Sequence, residues 1–480
     1  MGGLQHGDEC FEVAFGLPWS YNNFISKATE LGHPANFCKQ VPEDIQCAID
    51  FQVNNNFETV AQHRLDWCRT WLKRAAELDV IEKEDAKKRH PATAKKRLKL
   101  TKEILESLGY EDIEVLQILE KGSTLAGEID ASSVFQRSFK PCITTFQQLE
   151  EHAEKRNSLV MRMTKSSGDR ELDAAVLKET RDEIARGWAD GPWRVEDLER
   201  GATISRRFPL VQGSKIRMID DYSVSGVNDS CTINTKLDLH AVDTFIAAVR
   251  AYFDGMRSQD RDMSLTAKTY DLKSAYRQVP VREDDLKFGY FCIYNHETDE
   301  VELYRSRTLP FGATHSVFNF LRLVRMIHHI ACRGAYLLTT NFYDDFILAS
   351  NNCLRESSKN CMELIFLFTG WEFATDGKKA TTFAEICCAL GVALNLSMSD
   401  RGILEIKNTE ARVADLVKQI QSVLELGTLS RSDTLKLRGR LGFADGYLHG
   451  RLGALILKRL IDHAYGANPK IDEDLAMLLR

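Results

Sequence analysis

Residues 337–350, reading LLTTNFYDDFILAS, limit what this chain can fold into more than any other stretch. Two adjacent acids, Asp344 and Asp345, lie between the arms Asn341-Phe342-Tyr343 and Phe346-Ile347-Leu348-Ala349. A carboxylate taken out of water is costly unless something pairs with it. Two polar residues between strand-like runs read as a tight hairpin, although Asp-Asp is not a favoured turn pair in the way Asn-Gly is. Taken alone, the stretch fits an acidic surface turn and a functional site equally well.

A third acid changes the balance. Asp271 ends the strand-like run Thr269-Tyr270-Asp271. A carboxylate at a strand end and two on a hairpin tip can converge. Three carboxylates, with water and phosphate oxygens, make an oxygen-rich site suited to Mg²⁺, with Mn²⁺ as an alternative. Two such ions about 3.5–4 Å apart stabilise the attacking and leaving oxygens of a phosphoryl displacement.

The 480 residues allow two to four domains or subdomains and a sizeable core. No run of 18 apolar residues is free of charge, so no membrane span is expected. The N-terminus MGGLQHGDECFEVAFG lacks the basic and apolar regions of a secretory signal, and His6 stands where a myristoylation site wants Ser or Thr. None of the 12 cysteines forms a Cys-x-x-Cys pair, so reduced thiols in an intracellular protein, cytoplasmic or nuclear, are expected. The net charge of −6 does not mark a nucleic-acid binder. Two basic stretches remain: 86–102, read as a solvated helix face or else a localisation signal or RNA contact, and 431–459, with seven Lys or Arg against two Asp.

Residues 1–135 read as mostly helical, with Val60, Leu65, Trp67, Trp71, Leu72 and Ala75 near helical spacing. They are a docking extension, an RNA-binding one, or a lead-in to the next domain. Residues 136–260 open as charged helix and pass to strand, Gly turn and strand in ISRRFPLVQGSKIRMIDDYS. Residues 261–398 mix strands and helices, including a helix with Val317, Phe320, Leu321, Val324 and Ile327 on one face, stopped by Gly334. Residues 399–480 read as helical. Without strict alternation the class is α+β.

On these motifs the chain resembles the reverse transcriptases, and within them retrotransposon polymerases of the tyrosine-recombinase, DIRS-like kind. RRFPLVQGSKIRMIDDYS looks like the fingers hairpin, and YDLKSAYRQVPV like the palm strand with the first catalytic Asp. LPFGATHSVFNF is similar to the Leu-Pro-x-Gly helix entry, and FYDDF to the aromatic-x-Asp-Asp hairpin. TDGKK and ALGVALNL look like the two motifs that follow. The resemblance covers residues 201–460. It implies a right-hand polymerase of fingers, palm and thumb, with a ferredoxin-like palm sheet after a helical N-terminal region.

The resemblance also implies roles. Asp271 and Asp344 would hold both metal ions, with Asp345 assisting and the Leu272 carbonyl as a further ligand. Tyr276, five residues past Asp271, would lie under the sugar and exclude a 2′-hydroxyl. Arg217, four residues before Asp221, would grip the triphosphate, with Lys215 as a second phosphate ligand. Phe311 departs from the retroviral Gln, and Gly312 lets the backbone approach nucleotide or template. Lys378 or Lys379 would lie near the leaving pyrophosphate as general acid. Phe342 and Tyr343 would floor the primer end, Leu390-Gly391 would guide it, and Arg438, Arg440 and Arg451 would follow the duplex backbone.

The implied activity is RNA-directed DNA synthesis from dNTPs on a primed RNA or DNA template, without membrane involvement. One alternative is an inactive, domesticated nucleic-acid-binding or scaffold protein; all three acids are nevertheless present. A viral RNA-directed RNA polymerase is disfavoured, because those usually carry Gly before the Asp pair and a small or polar residue at the place of Tyr276. No RNase H, integrase or recombinase constellation is found, so the element lacks them or the chain is a piece of a longer polyprotein.

Overall fold

A computed structural model describes residues 2–6, 9–13, 40–212, 215–446, 454–466 and 475–476. Its secondary structure is mixed α+β, beginning with a hairpin of β1 (Gly2–His6) and β2 (Glu9–Val13). Helices Glu43–Asn54, Phe57–Ala86, Leu98–Ser107 and Leu116–Lys121 follow. The remaining strands are β3 (Glu128–Ile129), β4 (Gln136–Lys140), β5 (Ala189–Trp193), β6 (Ile204–Gln212), β7 (Lys215–Asp221), β8 (Thr232–Lys236), β9 (Leu265–Asp271) and β10 (Tyr290–Asn295). After them come β11 (Glu300–Ser306), β12 (Leu338–Phe342), β13 (Asp345–Asn351), β14 (Ile386–Ala389), β15 (Val392–Asn395) and β16 (Glu405–Asn408).

The N-terminal helices are part of the main body rather than an appendage. The stripe of Phe57–Ala86 that turns inward is Val60, Arg64, Cys68, Ala75 and Leu78, and Leu65 and Leu72 of the expected stripe are exposed. Arg64, 1% exposed, donates Nε to the Ala335 carbonyl at 2.8 Å, Nη2 to Tyr336 at 3.0 Å and Nη1 to Ser358 Oγ at 2.9 Å. Cys68 Sγ lies 3.4 Å from Cys361 Sγ on helix Arg355–Thr369. Helix Glu43–Asn54 shares a core with helix Val242–Ser258 through Ile45, Ile49 and Val53. The basic stretch 86–102 is not a uniformly solvated face either. Arg97 pairs with Asp79, Lys99 pairs with Asp85, and Lys96 is buried.

A five-stranded sheet runs β5-β11-β10-β6-β7. Its β6–β7 hairpin is antiparallel, whereas β10 lies parallel to β6, from Tyr290 opposite Ile204. Strands 290–306, placed by sequence with 261–398, therefore complete the sheet that 204–221 begin. A three-stranded sheet, β12-β13-β9, carries the acids. Among the described residues this sheet is three strands, short of a full ferredoxin-like sheet, with bridges Ala267–Ala384 on the outer edge of β9 and Leu272–Phe373 just past its end. Helices Thr314–His329 and Arg355–Thr369 pack against β12 and β13. Strands β14-β15-β16 form a third sheet, followed by helices Glu410–Leu426, Arg431–Asp445 and Ala454–Ala464, whose core includes Leu416, Ile420, Leu437 and Leu460. Among the described residues no helix is long and apolar enough to cross a membrane.

Candidate active site

The apolar arms around the two acids fix their register. Phe346 and Leu348 enter one core with Tyr270, and Ile347 and Ala349 enter another with Ala267. A slip of one residue would exchange the two faces. In this register Phe342 pairs with Asp345, and Asp345 stands opposite Asp271. The turn is therefore Tyr343-Asp344, one residue earlier than expected, and Asp345 is the first residue of β13. Tyr343 has φ of +52° at the first central position, where a two-residue hairpin of this kind prefers glycine. Such a conformation costs about 1–3 kcal/mol in a bulky residue and is characteristic of functional sites. The Leu272 N–H donates to the Asp344 carbonyl at 3.1 Å, tying the turn to the end of β9. The Leu272 side chain is buried in the core.

Burial holds the Asp344 carboxyl above its ordinary range, and the Asp271 charge adds to this; its own N–H, Lys379 and Arg217 act in the opposite direction. The Lys379 ammonium lies across both carboxylate oxygens of Asp271. Among the described residues no three Asp, Glu, His or Cys side chains are grouped closely enough to hold a metal ion. The threefold convergence expected from sequence is thus seen as an interacting pair, Asp271 and Asp344. Asp345 sits on the same ladder, and a protein cation sits on Asp271.

Tyr276 lies beside this pair. It is 9% exposed, with its ring 4.9 Å from Phe311 and 4.8 Å from Phe320. Burial pushes its phenol pKa up, reinforced by Tyr343 and Asp344. The Phe311 carbonyl accepts the Asp220 N–H at 3.2 Å, and Asn228 Nδ2 donates to the Gly312 carbonyl at 2.9 Å. Gly312 has φ of +108°, and a Cβ there would fall on the Asp220 carbonyl oxygen. This close approach joins the end of β7 to the entry of helix Thr314–His329. Arg217 is exposed on β7, opposite Leu210. Lys215 opens β7 and Lys378 belongs to the turn Gly377–Lys379, but their side chains lie outside the described residues.

The other expected residues form separate contacts. Phe342 packs edge-on against Tyr343, with ring centroids 5.1 Å apart. Leu390-Gly391 make the two-residue turn between β14 and β15. That turn abuts Arg412, whose guanidinium stacks 4.2 Å from the Phe443 ring. Arg438 is exposed, Arg440 pairs with Asp415 and donates to Gln419 at 2.6 Å, and Arg451 lies outside the described residues.

Sequence reasoning missed a buried ion network behind the site. Arg207 of β6 donates to Asp220 of β7 at 2.7 and 3.1 Å and to Glu183 of helix Arg170–Ala185 at 2.7 Å. Glu183 also receives Arg277, the residue after Tyr276. No periodic signal in the sequence separates these four from surface charges. Arg64 did carry one, since it sits four residues from both Val60 and Cys68 on the inward stripe.

No protein-family model matches the sequence, and no curated protein matches it. Among solved structures, the chain is similar to a foamy viral protease-reverse transcriptase dRH in complex with double-stranded DNA, at 16% identity and a TM-score of 0.46, over 65% of this chain and 48% of that one. It is also similar to the foamy viral protease-reverse transcriptase in complex with double-stranded DNA, at 14% identity and 0.44, over 78% and 66% of the two chains. A third is that protein in complex with an RNA/DNA hybrid, at 14% and 0.43, over 65% and 37%. The chain thus spans about half the length of the first of these structures.

Proposed function

We propose that this chain is a reverse transcriptase of a retroelement, extending a primer on an RNA or DNA template. The β6–β7 hairpin serves as fingers, the β12-β13-β9 sheet as palm and the helices after β16 as thumb. One observation carries the reading. The pairing of β9 with β13 sets Asp345 opposite Asp271 and places Asp344 in a strained turn within range of the Asp271, Lys379 and Arg217 charges.

Asp271, Asp344 and Asp345, with the Leu272 carbonyl, are the residues that would hold Mg²⁺ or Mn²⁺. The fit lies in their hard oxygen donors and in the raised Asp344 carboxyl, which a neighbouring cation would bring down. A bound pair of such ions supplies charge neutralisation for displacement at an α-phosphate. The side chains do the rest. Arg217 and Lys215 grip the triphosphate, and Tyr276, backed by Phe311 and Phe320, fills the space a 2′-hydroxyl needs. Lys379 leaves Asp271 and gives a proton to departing pyrophosphate, with Lys378 as its alternate. Phe342 and Tyr343 support the primer end, and Leu390-Gly391 guide it. Arg438, Arg440 and Arg451 contact duplex phosphates, Arg440 exchanging Asp415 for them.

A second reading, an inactive nucleic-acid-binding or scaffold protein, draws on the Lys379–Asp271 pair, which closes a catalytic acid with a protein cation. Primer extension on an RNA template, with dNTPs against rNTPs and Asp344→Asn alongside, separates the two. Incorporation by the folded wild type that the variant abolishes supports the polymerase. A folded wild type that binds primed template without extending it supports the scaffold.

A further inference from the structure

The basic run 86–102 has no part in that mechanism, yet Lys96 within it is 2% exposed. It lies between the turn Pro91–Thr93 and helix Leu98–Ser107. Its ammonium sits 3.5 Å from the centre of the Trp371 ring and donates to the Gly370 carbonyl at 3.0 Å and to Gln278 Oε1 at 2.9 Å. A buried amine held by neutral oxygens and a ring face is an expensive place for a charge, and burial pushes the Lys96 pKa well below its ordinary value.

Gln278 passes the contact on. The same Oε1 accepts the Glu372 N–H at 3.0 Å, while Nε2 donates to the Lys273 carbonyl at 2.8 Å and the Glu372 carbonyl at 2.9 Å. These bonds fall on two segments, the one leaving Asp271 and the one leading to Lys379. The segments are also joined directly. The Lys273 N–H donates to the Glu372 carbonyl and the Ala374 N–H to the Asp271 carbonyl, both at 2.9 Å, and Leu272 bridges Phe373. The adjacent Lys95 pairs with the Glu372 carboxylate at 2.6 Å.

We infer that Lys96 is a positioning residue for the Asp271–Lys379 pair, acting through Gln278 to hold the Lys379 loop against the end of β9. Its catalytic consequence rests on the polymerase reading; its structural consequence rests on the hydrogen bonds alone. The N-terminal helical region is then a working part of the site. Misplacing a reacting group by about 1 Å can cost 10²-fold in rate.

The test uses the full chain with Lys96→Met, Lys96→Arg, Gln278→Asn and the double variant Lys96→Met/Gln278→Asn. Primer extension is measured together with hydrogen–deuterium exchange by mass spectrometry. Lys96→Met keeps length and packing on Trp371 but removes the donors. We expect it to lower kcat about 10- to 100-fold with the dNTP KM within about threefold. We also expect faster exchange confined to peptides spanning 271–279 and 370–380. Lys96→Arg should recover part of kcat, and the double variant should be no worse than Gln278→Asn. A kcat within about twofold of wild type with unchanged exchange in those peptides overturns the inference, as does faster exchange spread evenly over the chain. Should Lys96→Met prove insoluble, Gln278→Asn faces the same criteria. If wild type incorporates nothing, the polymerase reading falls, and local exchange still decides whether Lys96 orders the two segments.

Discussion

Replacing Arg207 by Met should loosen the β6–β7 hairpin far more than any surface change nearby. Arg207, Glu183, Asp220 and Arg277 form a closed set of two cations and two anions with side chains almost wholly out of solvent. Removing Arg207 takes away both Asp220 bonds and one Glu183 bond, while Glu183 keeps Arg277. Asp220 loses its ion partner, and leaving a buried charge uncompensated costs about 3–5 kcal/mol. The guanidinium also leaves the Phe291 ring, 3.7 Å away, worth roughly 0.5–2 kcal/mol. Hydrogen exchange of peptides covering β6 and β7 reads the local opening directly. The combined loss corresponds to exchange faster by about 300- to 10⁵-fold, at about 1.4 kcal/mol per decade. Adding Asp220→Asn removes the orphaned charge, so the double variant should lose less than the sum of the two singles. A change below about 1 kcal/mol for Arg207→Met, or additivity within about 0.5 kcal/mol, would refute the reasoning.

Three further outcomes follow from the site. Asp344→Asn should abolish incorporation yet raise the melting temperature at neutral pH. Burial, then the Asp271 charge, raises the folded-state pKa of this acid, so its ionised form destabilises the fold. The gain is full above that raised pKa and vanishes as pH falls below the ordinary carboxylate range, which melting curves from about pH 3 to about pH 8 check. Tyr276→Val should admit ribonucleotides, seen as a fall of at least about tenfold in the dNTP-over-rNTP ratio of kcat/KM, equivalent to about 1.4 kcal/mol; an unchanged ratio removes the role given to that ring. Gly312→Ala should destabilise by about 1–3 kcal/mol or more, because the new methyl meets the Asp220 carbonyl and φ is +108°; denaturant midpoints measure it.

How far the sequence could be read differs between the site and its surroundings. The acids and their hairpin are legible because the apolar arm Phe346–Ala349 and a strand-like run ending in Asp271 are local patterns. The one-residue shift of the turn was not, since it depends on which apolar residues face which core. Charge was the least legible quantity. Lys96 and Arg207 look like any other basic residue in the chain, and only tertiary contacts bury them. Arg440, read as a duplex contact, meets Asp415 across 25 residues. The pairing of β6 with β10 joins segments that no short-range pattern connects.

The contact between Phe57–Ala86 and Arg355–Thr369 has a consequence for how the chain is made. Cys68 and Cys361 are 293 residues apart, and at about 5–20 residues per second a ribosome needs some 15–60 seconds to deliver the second after the first. Until then the part of the inward stripe around Arg64 and Cys68 lacks the residues between 335 and 361 that cover it. The β6–β7 hairpin likewise waits for residues 290–306. Pairings this distant close slowly. Helix Phe57–Ala86 therefore waits longer for residues 335–361 than β9 waits for β13, and chaperone dependence in expression should track residues 57–86 more than the acids they end up supporting.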